Sequence, residues 1–107
     1  MVRPRKCKKV YAKPGVTYFK PRAIPMTELE EVELTVEEFE AIRLKDRKSY
    51  EQKKVAEEMG ISQPTLHRLL NSARKKIAEA LVEGKAIMIK GGDYSLKKKT
   101  KIKKRKR

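Results

Sequence analysis

Between Ser62 and Asn71 the chain reads SQPTLHRLLN, and its polar residues have the chemistry needed to read a base pair. Gln63 and Asn71 each end in an amide, a donor beside an acceptor, the pair that grips adenine N6 and N7. Arg68 brings a guanidinium fork matched to guanine O6 and N7. Pro64 offers an apolar surface to a thymine methyl, and Ser62 and Thr65 add small hydroxyls. His67 can donate to a base or a phosphate; the plainer account is a solvated surface side chain. A metal role for it has no second ligand to support it. Arg74, Lys75 and Lys76 come a turn later and suit backbone phosphates, which fix register rather than sequence.

Such side chains work only if one helix presents them together. Leu66, Leu69 and Leu70 fall between them as that helix's apolar stripe, which continues through Ala73, Ile77, Ala80 and Leu81 in steps of three and four. No breaker precedes Gly84, so the spacing predicts a helix over 63–83, about 30 Å long. Ser62 can cap it, and Pro64 sits in its first turn, where a missing N–H costs little. Upstream, Val55, Ala56 and Met59 share one face of a helix expected over 52–59. Gly60 ends that helix, since glycine takes the left-handed conformation most cheaply. A small residue at the crossing, a glycine corner and apolar residues on both sides meet the demands of a helix-turn-helix. An ordinary helical hairpin of another all-α domain is the bland alternative.

The 107 residues suffice for one domain, and a net charge of +15 points to a polyanion, nucleic acid before an anionic membrane surface. Residues 97–107 hold 9 of the 29 basic residues and no acid, so the rest is only mildly basic. A single cysteine, Cys7, rules out an internal disulfide and fits a reducing compartment. Apolar runs are far too short for a membrane span, and a soluble cytoplasmic protein is expected. The expected divisions are a basic arm (1–22), a helix-turn-helix domain (23–92) and a disordered Lys/Arg-rich tail (93–107).

In the arm, Arg3, Arg5, Lys6, Lys8 and Lys9 are candidate phosphate contacts, or else solvated charges of a loose leader. Val16–Phe19 is β-prone, with Tyr18 and Phe19 expected in the core. Seven glutamates and no base lie between Glu28 and Glu40, read as a solvated face that could also hold that side of the domain off DNA. Thr35 and Glu38 form a capping box, with Leu34 and Phe39 as a hydrophobic staple. The helix they open should run over 36–46, with Phe39 and Ile42 in the core and Leu44 at its edge. The apolar run 86–89 reads as a strand that could pair with Val16–Phe19. Catalysis has no foothold: no Ser/His/Asp set is present, Cys7 lacks a base, and Gly91–Gly92 is a turn rather than a phosphate loop.

The stretches LTVEEFEAIRLKD and YEQKKVAEEMGISQPTLHRLLNSARKKIAEALVEGKAI resemble region four of bacterial sigma factors and related helix-turn-helix domains. More closely, the chain resembles an uncharacterised family of small archaeal and bacterial proteins predicted to bind DNA. The resemblance lies in the leader at Pro4–Cys7, the TYFKP segment at Thr17–Pro21, Gly84–Ala86 and the turn at Gly91–Gly92, and covers residues 2–92. It implies a DNA-binding regulatory protein. The chain departs from the pattern at Glu51, where a serine cap is common, and in its lysine-rich extension beyond Gly92.

The expected fold is mainly α: a three-helix, sigma-region-four-like helix-turn-helix of winged-helix style, with short flanking β segments. The expected activity is sequence-specific binding of double-stranded DNA by a transcription regulator that is not an enzyme and needs no metal or cofactor. An RNA-binding or ribosome-associated protein is one rival, and a module that grips RNA polymerase is another. A homodimer remains open, and no membrane partner is expected.

Overall fold

Thr35 opens the first helix through side-chain chemistry. Its hydroxyl accepts the Glu38 N–H at 3.1 Å, and the Glu38 carboxylate accepts the Thr35 N–H at 2.9 Å, so the capping box is present. The computed structural model describes residues 8–92 and 94–96. Helix α1 (Val36–Ile42) does not stay α-helical to residue 46. Its last stretch widens into a π-helical turn over Arg43–Arg47, where the Lys48 N–H reaches back to the Arg43 carbonyl at 2.9 Å. Ser49 then takes a left-handed φ of 62°, rare for a residue with a Cβ. Leu44, expected at the edge, is buried instead.

Helix α2 (Gln52–Met59) begins at Glu51, which makes no side-chain cap, and ends at Gly60, with φ 69° and ψ 37°. Helix α3 (Gln63–Glu83) starts three residues later. The Ser62 hydroxyl accepts the Thr65 N–H, and Gly84 closes the far end in the left-handed conformation. Both helices have the bounds expected from sequence.

Strand β2 (Tyr18–Phe19) pairs antiparallel with β4 (Ala86–Ile89), which pairs parallel with β3 (Glu31–Leu34), giving the order β2-β4-β3. The pairing of the Tyr18–Phe19 region with residues 86–89 was expected. Strand β3 was not, because its glutamates masked a period-two alternation in which Val32 and Leu34 point inward. A second, two-stranded sheet joins β1 (Lys8–Val10) in parallel to β5 (Tyr94–Leu96). The expectation of a disordered tail from residue 93 is therefore corrected for 94–96; residues 1–7, 93 and 97–107 lie outside the described residues.

Two apolar clusters hold these layers. One joins Ala41 and Leu44 to Val55, Ala56, Met59, Leu66 and Leu70, and so fixes α2 against α3. The other joins Val10, Leu34, Val36, Ala73 and Ile89 between helices and sheet, with Phe39 and Ile42 packed against it. Three expected core residues are in neither. Tyr18 is half-buried, and its hydroxyl donates to Glu31 at 2.6 Å. Phe19 is 53% exposed and Leu81 is 76% exposed. Consecutive helix residues turn by about 100°, so the buried Ala80 leaves Leu81 facing sideways where α3 has outrun the α1–α2 cluster. The result is three α-helices with a short three-stranded sheet, about half helical. No helix among the described residues is long and apolar enough to cross a membrane.

Truncation separates the two leucines. Leu66→Ala, at a fully buried position, should cost about 2–5 kcal/mol in urea unfolding. Leu81→Ala should change stability by no more than about 0.5 kcal/mol.

Candidate nucleic-acid interface

Helix α3 turns one polar stripe away from the core. Gln63, His67, Asn71 and Arg74 follow at steps of four, four and three, and all are exposed. Pro64, Arg68 and Lys75 are exposed beside them, while Leu66, Leu70 and Ala73 face inward. The first turn is tied together by its own polar groups. The Ser62 hydroxyl donates to Thr65 Oγ1 at 2.9 Å, and Arg68 Nη2 donates to the same oxygen at 3.3 Å. Thr65 is half-buried, so Ser62 and Thr65 serve mainly to cap the helix and draw the Arg68 guanidinium back towards its N-terminus.

The arm reaches this corner. Lys8 joins Gly60, Ile61, Ser62 and Thr65 in lining a shallow cleft of about 180 Å³. The Lys9 side chain lies over Gly60, so near that a Cβ there would sit 3.5 Å from Lys9 Cε. Exposed Lys9 thus stands next to the start of α3. Arg3, Arg5 and Lys6 lie outside the described residues.

Several expected phosphate contacts already hold carboxylates. Lys8 pairs with Glu37 at 3.3 Å and Lys76 with Glu38 at 2.8 Å. Arg74 binds Asp46 through two nitrogens, at 3.1 and 2.7 Å, but remains about half exposed. That hydrogen bonding holds the Asp46 carboxyl below its ordinary range. Among the α3 cations after Asn71, Lys75 alone is exposed with no ion pair among the described residues.

The acidic stretch is not uniformly a solvated face. Glu28, Glu30, Glu31 and Glu33 are exposed, but Glu37, Glu38 and Glu40 are buried. Glu40 is wholly buried and fully employed: it takes a two-pronged bond from Arg43 at 2.7 and 2.9 Å, and a bond from the Tyr11 N–H at 2.9 Å. Glu38 reaches across to α3, where Ser72 and Lys76 donate to it. Burial pushes the Glu38 carboxyl up, yet the bonds from Lys76, Ser72 and Thr35 together outweigh it and hold it below its ordinary range. A signal for Glu40 was present in the sequence. Val36, Glu40 and Leu44 are spaced by four, so this glutamate stands in the middle of the buried stripe, with Arg43 three residues on.

No group of three or more acidic, His or Cys side chains among the described residues is arranged to hold a metal. The architecture defines a small helical protein with a basic arm, presenting a polar helix face beside a glycine corner. The chain belongs to the family described as protein of unknown function DUF134, whose model matches residues 1–97. It is 60% identical over 96 residues to a UPF0251 protein of Moorella thermoacetica, covering 90% of this chain and 64% of that protein. It is 57% identical over 94 residues to a UPF0251 protein of Thermoanaerobacter pseudethanolicus, covering 88% and 80%. A UPF0251 protein of Methanothermobacter thermautotrophicus is 56% identical over 94 residues, which make up 49% of its length. The family thus has bacterial and archaeal members. No solved structure matches the chain. The family match runs past Gly92, where the resemblance was expected to end, and takes in β5.

The Glu38 contacts set a pH dependence. A carboxyl held low in the folded state adds stability above its unfolded value, and that stability is lost as pH falls through the folded value. Urea midpoints of the wild type should therefore fall on acidification from about pH 6 to about pH 3. Glu38→Gln should start from a lower midpoint and show a shallower fall.

Proposed function

We propose that the chain binds duplex DNA sequence-specifically and regulates transcription. In this reading α2, the Gly60 corner and α3 are a helix-turn-helix, and α3 enters the major groove N-terminus first. The observation that carries it is the exposed stripe of Gln63, His67 and Asn71, with Arg68 beside it, on a helix whose opposite side is locked into the core. Two amides, an imidazole and a guanidinium on one helix face suit adenine and guanine edges, and Pro64 suits a thymine methyl. Ser62 and Thr65 hold the first turn in shape. Lys9, Lys75 and Arg74 then contact phosphates, with Arg3, Arg5 and Lys6 extending the arm along the backbone. The lysine-rich chain beyond residue 97 adds a sequence-blind attraction. The single cysteine fits work in a reducing cytoplasm.

Recognition of single-stranded RNA would call for exposed aromatics on which splayed bases stack. Exposed Phe19 shares a cleft with Leu81, which lies 18 residues, or about 27 Å, along α3 from Gln63. It is not part of the polar stripe, which favours the duplex.

Selection of bound fragments from a pool of random duplexes should return a recurring motif. A chain ending at residue 97, which keeps β5, should recover the same motif with a weaker salt dependence. Equal affinity for single-stranded RNA, or no enriched motif, would overturn the reading. Arg68→Ala should relax preference at one base step by about 1–3 kcal/mol while leaving the other positions unchanged.

A further inference from the structure

At the corner between α1 and α2 the chain builds a cationic hollow. Arg43, Arg47, Lys48 and Tyr50 line a concavity of about 540 Å³. Its wall is the π-helical turn over Arg43–Arg47, followed by the left-handed Ser49. Both features are uncommon, and each is less favourable than plain helix followed by a glycine turn. Together they carry Arg47, Lys48 and Tyr50 around one opening.

The four lining groups differ in freedom. Arg43 is held from behind by the buried Glu40 and forms a rigid back wall. Arg47 is exposed and has no ion pair among the described residues. Tyr50 packs against the core, with the Lys54 ammonium 4.1 Å and the Lys48 ammonium 5.9 Å from its ring centre. Two unneutralised ammonium groups therefore gather round one aromatic ring beside a free guanidinium. Such a set, with a phenol hydroxyl at hand, suits an anion rich in acceptor oxygens, and a phosphodiester fits it.

The turn that walls the hollow also touches the end of the polar stripe. Asp46 belongs to the same π-helical turn, and both its oxygens hold Arg74, the fourth residue of the Gln63, His67, Asn71 series. Arg74, at the end of the stripe farthest from Gln63, thus ties this turn to the helix assigned to the groove.

We propose that Arg47, Lys48 and Tyr50 form a phosphate clamp that grips the DNA backbone beside the base pairs read by α3. This inference rests on the duplex-binding reading and adds a contact surface to it. The clamp carries no sequence information and sets how α3 is seated in the groove.

A double-mutant cycle with the full chain tests it, using a duplex recovered by the selection above. Arg47→Gln/Lys48→Gln should weaken binding roughly tenfold at about 0.1 M salt, lower the salt slope by about 2, and leave the preferred motif unchanged. A control at exposed Lys90, Lys90→Gln, should leave affinity and slope within about twofold. Duplexes with single neutral methylphosphonates just outside the motif should weaken the wild type at one or two positions and hardly affect the double variant there. Arg47→Lys/Lys48→Arg, which keeps both charges, should retain most of the affinity and the slope. An unchanged slope in the glutamine variant, or equal methylphosphonate effects in both proteins, overturns the clamp. Failure of the wild type to select any duplex overturns the duplex-binding reading itself.

Discussion

Three carboxylates on a little over one turn of α1 must each find a partner, because an uncompensated buried charge costs several kcal/mol. Glu37 takes Lys8 from β1, Glu38 takes Ser72 and Lys76 from α3, and Glu40 takes Arg43 and the Tyr11 N–H. One short helix therefore ties down the arm on one side and the middle of the longest helix on the other. Apolar contact alone would leave α3 free to slide along α1. The Glu38 carboxylate, fixed by its own capping box and by two donors a helical turn apart on α3, pins the register.

That pin gives the exposed face of α3 its meaning. The first half of α3 is clamped between α2 and the α1 cluster, so its outer stripe has a defined direction. The chain then leaves the helix at Gly84 and returns as β4 between β2 and β3, drawing the far end of α3 onto the sheet. Parallel pairing of β3 with β4 needs a long crossover, and all three helices lie within it. The helices are thus one connection in a small sheet, held at both its ends.

What was legible in the sequence was local. Thr35 with Glu38, Gly60, Ser62 and Gly84 act on backbone groups within a turn of themselves, and they set the ends of α2 and α3 and the start of α1. Of the side chains expected on the outer face of α3, Gln63, Pro64, His67, Arg68 and Asn71 are exposed for the same reason, since helical spacing decides which faces are shared, while Thr65 is half-buried. What was not legible depended on distant partners. Glu38 looks like any surface glutamate until Lys76 is brought beside it from 38 residues away. Glu31–Leu34 becomes a strand because β4 offers it an edge, and Tyr94–Leu96 because β1 does. Phe19 and Leu81 carry core chemistry at positions where no second layer arrives to cover them.

The formal charge of +15 overstates what the folded helices offer to a polyanion. Arg74, Lys76, Lys8 and Arg43 are each paired with a carboxylate, so the outer stripe of α3 is lined mainly by uncharged amides and an imidazole. A face of that kind gains from well-matched hydrogen bonds and loses when a base offers the wrong edge, which is the property discrimination requires. Among the described residues, cations with no carboxylate partner stand beside that stripe at Arg68, which the reading gives to a base, and at Lys75, and away from it at Lys9, Arg47 and Lys48. Attraction to phosphates is strong and indifferent to sequence, so placing it on the same side chains would blunt discrimination. Internal ion pairs in the helices and unpaired charge around them keep the two properties on separate residues.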